Sequence, residues 1–300
     1  MKFIKFSMLL FCFLILQQSV FTQETINFRK YVETALKGKV QNTIENGKVV
    51  ATRQIYLKDV CNIDEDDVAK RIFADYGAIF VTAFNNDFIR FPAKCIFQTP
   101  QEALTYQQKA NPIVYTLGGV QITLQKPAMD ALLAAVKEAG QKNLRITPRG
   151  GSNAASRSYE DTVRLWNSRF LPGLNHWISK GRIKREDAEV VKKMENINDQ
   201  VAQVLEWESQ KLWFSTDFSK SILYSVAAPG ASQHIFMLAL DVEQFSNKQV
   251  REILAKHGWF QTVQSDLPHF TYIGAQRDEL GNYGLVRKVV GGQEFWIPNL

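Results

Sequence analysis

The alternation of apolar and polar residues becomes regular only beyond about residue 116. Val120 to Leu124 alternates apolar and polar side chains, which is typical of a half-buried strand. Pro127 then begins a segment with apolar residues at helical spacing, and Gly140 ends it. The same reasoning predicts helices over 159–170, 185–211 and 247–257, strands over 144–147, 239–242 and 270–275, and a hairpin over 285–297 that turns at Gly291-Gly292.

These helices and strands are interleaved, but they lack the regular strand–helix–strand order of a parallel sheet. We therefore predict an α+β fold, in which a small mixed or antiparallel sheet with flanking helices occupies residues 116–300. Residues 23–115 form an N-terminal mixed region of unknown role. Within that region the sequence predicts helices over 26–36, 66–73 and 101–110, and its aromatic and β-branched residues predict strands over 76–91.

The first 22 residues have a pattern of their own. Lys2 and Lys5 precede an apolar run from Met8 to Leu16, and polar residues follow. This order is typical of a secretory signal peptide, and the run is too short for a comfortable transmembrane helix. We predict that residues 1–22 are removed and that the mature protein is exported, to the periplasm or outside the cell, with no stable membrane span. An uncleaved anchor is the alternative.

Composition and charge narrow the range of partners. Hydrophobic residues make up 45% and charged residues 22% of the chain, as in ordinary globular proteins, and the formal net charge is +6. A mildly basic exported protein suits anionic polymers such as the cell wall. No basic helix or basic aromatic stripe indicates nucleic acid. Cys61 and Cys95 either form a disulfide, as export permits, or remain buried thiols.

Two short blocks near the C-terminus contain half of the four histidines. His234 and Asp241 lie in the first block, and His269 lies in the second. Two neutral imidazoles and one carboxylate form a three-ligand site for Zn²⁺ with a fourth position for water. The seven-residue spacing of His234 and Asp241 does not suit one face of a helix. It suits a turn that folds back onto the following strand, with His269 supplied by a separate strand.

The first block resembles a known signature. Ser232-x-His234-x-x-Met237-x-Ala239-x-Asp241 is similar to the Ser-x-His-x-x-Gly-x-Ala-x-Asp pattern of the D-alanyl-D-alanine carboxypeptidases of the VanY type. That family groups with zinc dipeptidases and cell-wall endopeptidases.

Two further motifs extend the resemblance over about residues 116–280, in the order that the family has. Asp266-Leu-Pro-His269, followed by aromatic residues, stands where the family has Glu-x-x-His. Arg157-Ser158-Tyr159 matches an Arg followed by Ser and Tyr that opens a helix.

The resemblance implies an exported zinc metallopeptidase that hydrolyses peptidoglycan stem peptides ending in D-Ala. It implies three ligands for one zinc ion per chain: His234, Asp241 and His269. Asp266 would take the place of the catalytic Glu as general base. Arg157 would contact the substrate and stabilise the oxyanion, and Ser232 would bind the terminal carboxylate of the substrate.

Two departures from the family pattern support an alternative function. Met237 replaces a Gly, a residue required where φ is positive or where backbones approach closely. Asp266 is one methylene shorter than Glu, about 1.5 Å less reach. The alternative is a non-catalytic protein on the same scaffold that binds the cell wall or a partner.

Overall fold

Antiparallel pairing builds every sheet in the part of the chain that the structure describes, which is residues 26–45, 48–85, 88–92 and 94–300 of a computed structural model. The predicted signal segment, residues 1–22, lies outside the described residues. The strands are β1 Val40–Glu45, β2 Lys48–Gln54, β3 Pro112–Leu117, β4 Val120–Gln125, β5 Ala239–Asp241, β6 Trp259–Phe260, β7 His269–Tyr272, β8 Leu285–Val290 and β9 Gln293–Pro298. A three-stranded sheet has the order β5-β7-β6, and the other strands form two-stranded hairpins.

Helices surround these small sheets, which confirms the α+β class. They are α1 Phe28–Leu36, α2 Leu57–Val60, α3 Asp67–Tyr76, α4 Ile79–Asn85, α5 Pro100–Lys109, α6 Lys126–Gln141, α7 Tyr159–Ser179, α8 Arg185–Lys192, α9 Ile197–Ser209 and α10 Lys248–Lys256. None of those within the described ranges is long and apolar enough to cross a membrane.

Capping side chains explain where several helices begin. Asp66 accepts hydrogen bonds from the backbone N–H groups of the first turn of α3, and Thr99 does the same for α5. Ser158 begins α7, with Asp161 completing a capping box. Such caps satisfy N–H groups that have no partner within the helix. The helices predicted after these residues are confirmed.

Three predicted elements are wrong. Residues 79–85 form α4 rather than strands. The preference of aromatic and β-branched residues for strands depends on what they pack against, and residues 78–81 are all buried in the core. Residues 144–147 form no strand. Only Pro148 makes an isolated bridge to Val242, and proline cannot donate to a longer ladder. The helix predicted over 185–211 is two helices, because Asn196 caps α9.

The N-terminal region shares its buried residues with the rest of the chain. Phe28 and Phe73 pack together and belong to the same apolar cluster as Phe270 on β7. The Thr82 hydroxyl donates to the carbonyl oxygen of Tyr272 at 2.5 Å. The N-terminal region and the rest of the chain therefore share one hydrophobic core, which includes residues of the β5-β7-β6 sheet.

A disulfide joins two segments within this region, and a close backbone contact links the region to the chain before β5. Cys61 and Cys95 are bonded, with their Cα atoms 5.3 Å apart. Two residues later, the N–H of Phe97 donates to the carbonyl oxygen of Gly230 at 3.0 Å. Gly230 has φ +75°, and a Cβ there would lie 2.0 Å from the carbonyl oxygen of Phe97. Only glycine permits this approach.

Candidate metal centre

The pairing of β5 with β7 brings two of the predicted ligands together. The strands run antiparallel, and Asp241 lies directly opposite His269. Opposed residues of such a pair project from the same face with Cβ atoms about 4.5–5.5 Å apart. As a result, Nδ1 of His269 lies 3.3 Å from Oδ1 of Asp241.

A tight turn before β5 supplies the third ligand. His234 lies in a 3-10 helix, Gln233–Phe236, and the next residue, Met237, has a left-handed backbone with φ +55°. The N–H of Met237 donates to the carbonyl oxygen of His234, and the N–H of Gln125 donates to that of Met237. This turn folds His234 back beside Asp241. It also shows why glycine would suit position 237, since the backbone there requires a positive φ.

The three donor atoms are spaced as a bound metal ion requires. Nε2 of His234 lies 3.1 Å from Nδ1 of His269 and 3.3 Å from Oδ1 of Asp241. Ligand atoms about 2.0–2.1 Å from a tetrahedral ion lie about 3.3–3.4 Å from one another. Because the observed distances fall close to this value, the His234–Asp241–His269 group can hold a metal ion with little rearrangement.

The surroundings keep these side chains in the forms that bind metals. Burial lowers the pKa of His234 to about 4, and the positive charge of Arg157 acts in the same direction. Burial alone would raise the pKa of Asp241, but the contacts with His234 and His269 outweigh it and hold that pKa well below its ordinary value. Neutral imidazole and ionised carboxylate are the ligand forms. His234 and Asp241 therefore need no proton change at neutral pH.

The two imidazoles differ in the contacts of the ring nitrogen that faces away from the other two ligands. Nε2 of His269 lies 2.8 Å from Oε1 of Gln233, which also accepts the hydroxyl of Thr271 at 2.5 Å. The amide nitrogen of Gln233 donates to the carbonyl oxygen of Tyr76 at 2.8 Å. In contrast, Nδ1 of His234 is buried and has no hydrogen-bond partner within the described ranges.

A pocket of about 220 Å³ opens beside the ligands, and Ser232, Asp266 and Arg157 line it. Ser232 is 3% exposed, and Asp266 begins the turn that leads into β7. Burial raises the pKa of the Asp266 carboxyl, and the charge of Asp241 adds to a rise that His269 only partly opposes. The site therefore has two carboxyls with pKa values shifted in opposite directions, a pattern found at acid–base sites.

Arg157 contacts both the ligand group and the pocket. Its Nη2 donates to Oδ2 of Asp241 at 2.8 Å, and its Nε donates to the carbonyl oxygen of Asn153 at 3.1 Å. The guanidinium thus holds the second carboxylate oxygen of Asp241, while the first faces the histidines. The sequence predicted a substrate contact for Arg157, which stays a prediction, and it did not predict the bond to Asp241.

Sequence reasoning missed two side chains of the site. Arg169 on α7 lines the pocket, and its buried Nε has no hydrogen-bond partner among the residues that the structure describes. Thr162, Leu165 and Arg169 line the pocket at helical spacing, so the period of α7 was a usable signal. Gln233 had no such signal, because nothing in its position predicts a bond to His269.

Comparison of the chain with protein-family models, with curated proteins and with solved structures found no match. The geometry of the site and the motifs of the sequence are therefore the basis for a functional proposal.

Proposed function

We propose that this protein is an exported zinc-dependent peptidase, similar to D-alanyl-D-alanine carboxypeptidases, that hydrolyses peptidoglycan stem peptides. One observation carries the proposal: three donor atoms of metal-ligand type lie 3.1–3.3 Å apart beside a pocket that contains Asp266. The motif resemblance to the VanY type supports the same function.

The donor set is compatible with zinc, the ion that the motif resemblance implies. Two imidazole nitrogens and one carboxylate oxygen form a set that catalytic zinc sites use, with the fourth position left for water or substrate. A bound zinc ion would acidify that water and polarise the carbonyl of the scissile peptide bond. His234, Asp241 and His269 would hold it, and Arg157 would orient Asp241.

Asp266 is our candidate for the general base. Its carboxylate would take a proton from the attacking water and pass it to the nitrogen of the leaving amine. A raised pKa makes such a carboxyl a better proton acceptor near neutral pH than an ordinary aspartate.

The lining of the pocket suits a substrate with a free carboxylate. Arg169 brings a buried Nε that has no hydrogen-bond partner among the described residues, while its Nη1 donates to Ser168, and Ser232 adds a hydroxyl. Guanidinium groups bind carboxylates with two parallel hydrogen bonds. A peptide that ends in D-Ala offers such a carboxylate near its last amide bond. Arg157 would contribute the remaining positive charge, next to the developing oxyanion.

Export is the other part of the proposal. The signal-like segment over residues 1–22 predicts it, and the Cys61–Cys95 disulfide supports it because such bonds persist in oxidising compartments. Peptidoglycan is a substrate that an exported hydrolase would meet there.

Metal analysis of the purified mature protein, together with mass spectrometry of muropeptides after incubation, tests the proposal. We expect about one zinc per chain and loss of the terminal D-Ala. His269→Ala should remove the zinc and reduce hydrolysis by more than about 100-fold, the upper end of what an outer-shell change costs. His257→Ala is the matched control, since His257 contacts Glu138 away from the pocket. A wild-type protein without zinc, or a His269→Ala protein with full activity, would contradict the proposal.

Two departures from the family pattern, at Met237 and Asp266, supported the non-catalytic alternative, and one of them carries less weight in the structure. Met237 adopts the left-handed conformation that favours glycine, so this departure does not prevent the turn from forming. The shorter Asp266 remains. Zinc binding without cleavage of any D-Ala peptide, followed by activity in Asp266→Glu, would favour a protein that has lost turnover.

A further inference from the structure

A directed chain of hydrogen bonds runs from the N-terminal region to one of the candidate ligands. The carbonyl oxygen of Tyr76, the last residue of α3, accepts from the amide nitrogen of Gln233 at 2.8 Å. Oε1 of the same amide lies 2.8 Å from Nε2 of His269 and 2.5 Å from the hydroxyl of Thr271. The side chains of Gln233, His269 and Thr271 are all buried.

The direction of each bond follows from what its partners can do. A backbone carbonyl only accepts, so the amide of Gln233 must turn its nitrogen toward Tyr76. The opposite orientation would place two oxygens 2.8 Å apart in a buried site. Because the amide nitrogen donates to Tyr76, Oε1 of Gln233 must face His269. An amide oxygen, like a backbone carbonyl oxygen, can only accept a hydrogen bond. Nε2 of His269 therefore has to carry the proton.

The hydroxyls of Thr271 and Thr262, beside Gln233, fit the same directions of hydrogen bonding. The Thr271 hydroxyl donates to Oε1 of Gln233, and its oxygen lies 2.6 Å from that of Thr262, which can supply the next proton. Every donor in the chain then meets one acceptor. The network needs no second hydrogen on the ring of His269. Its Nδ1 lies 3.1 Å from Nε2 of His234 and can accept the hydrogen of that ring, since Nδ1 of His234 has no partner among the described residues to which it could donate one.

We propose that Gln233, anchored on the carbonyl oxygen of Tyr76, is a positioning residue that holds His269 as the Nε2–H tautomer and presents Nδ1 to the metal. The tautomer is a property of the metal-free protein, and only its consequence for zinc rests on the proposed function. Outer-shell partners of this kind raise metal affinity about 10–100-fold. The inference also gives part of residues 23–115 a role, because α3 supplies the carbonyl that orients the amide.

Nuclear magnetic resonance of the metal-free protein, with ¹⁵N-labelled histidine, tests the tautomer directly. Protonated and unprotonated imidazole nitrogens differ in ¹⁵N shift, the chain has only four histidines, and His269→Ala assigns the signal. We expect Nε2 protonated and Nδ1 unprotonated in the wild type. An Nδ1–H signal for His269 would overturn the inference without any Gln233 variant, so the test survives a variant that does not fold.

Two matched variants then separate positioning from packing. Gln233→Met keeps the length of the side chain but removes the acceptor, whereas Thr271→Val removes the neighbouring hydroxyl and leaves the bond from His269 to Gln233. We expect Gln233→Met to lose the single tautomer and to bind Zn²⁺ about 10–100-fold more weakly by competition with a chelator. Thr271→Val should keep the tautomer and bind within about threefold of wild type.

The outcomes distinguish this inference from the proposed function. A single Nε2–H tautomer in Gln233→Met, with unchanged zinc affinity, would overturn the role of Gln233 while leaving a zinc enzyme intact. A wild type that binds no zinc would contradict the proposed function, and the tautomers of wild type and Gln233→Met would still decide the inference.

Discussion

The two sides of the candidate metal centre are held by different kinds of restraint. The strand side, Asp241 on β5 and His269 on β7, is fixed by a backbone ladder and by hydrogen bonds to the side chains of Arg157 and Gln233. The turn side, residues 230–237 with His234, is fixed by tight backbone contacts and two positive φ angles. The side-chain hydrogen bonds of the strand side specify direction, whereas the turn specifies position through backbone hydrogen bonds and two left-handed residues. The site combines them, since a ligand set needs both.

The largest effect that we expect from this comparison is on the turn side, in Gly230→Ala. A Cβ at this residue would lie 2.0 Å from the carbonyl oxygen of Phe97, with φ at +75°. Backbone strain and overpacking together should lower the free energy of unfolding by about 4 kcal/mol. Gly150→Ala is the control, because its φ is also positive but no described atom lies within 4 Å of the added Cβ.

Gly150→Ala should cost only about 1 kcal/mol. Urea unfolding of both variants measures the difference, provided that the slopes agree with wild type. Equal losses in the two variants would mean that the contact between Phe97 and Gly230 does not restrain the turn.

A smaller effect on the turn side distinguishes backbone strain from burial at Met237. This residue is 2% exposed and has φ +55°. Met237→Ala should lose about 2–4 kcal/mol of stability through the cavity that it leaves. Met237→Gly should be about 1 kcal/mol more stable than Met237→Ala, although glycine elsewhere is the less stable of the two.

The midpoint of urea unfolding in the two Met237 variants checks this order. If Met237→Gly were the less stable protein, the left-handed backbone at 237 would carry no strain. The turn side would then depend on packing alone.

The smallest effects concern the pH dependence of stability. They involve Asp241, on the strand side, and Asp266, which lies just before β7. Folding raises the pKa of Asp266, so the stability that its neutral form contributes is complete below the unfolded pKa of about 3.9 and is lost as pH rises through the folded pKa. Folding lowers the pKa of Asp241, so its contribution is present above about 3.9 and is lost as pH falls through the folded pKa.

Thermal unfolding of the metal-free protein against pH measures both. Relative to wild type, Asp266→Asn should become more stable as pH rises above about 4, whereas Asp241→Asn should become less stable as pH rises toward about 4 and should change no further above it. Parallel pH profiles for the two variants would contradict the opposite shifts.

Local signals in the sequence predicted much of the fold and the ligand set. Residues such as Asp66 and Asn247 cap helices through bonds to their own next turn, and Gly291-Gly292 turns a hairpin between adjacent strands. The spacing of His234 and Asp241 predicted a turn before a strand for the same reason. Residues 76–91 were misread, because what surrounds that segment is contributed by distant parts of the chain.

The sequence by itself determined the residue types of the site, its helix starts and its hairpin, because these depend on neighbours within a few residues. Only the tertiary structure decided that Arg157 holds Asp241, that Arg169 reaches the pocket, and that Tyr76 directs Gln233 toward His269. The bond from Arg157 to Asp241 spans 84 positions, the bond from Gln233 to Tyr76 spans 157, and the contact between Gln233 and His269 spans 36. Hydrogen-bond direction and burial at such separations arise from packing, which no local pattern records.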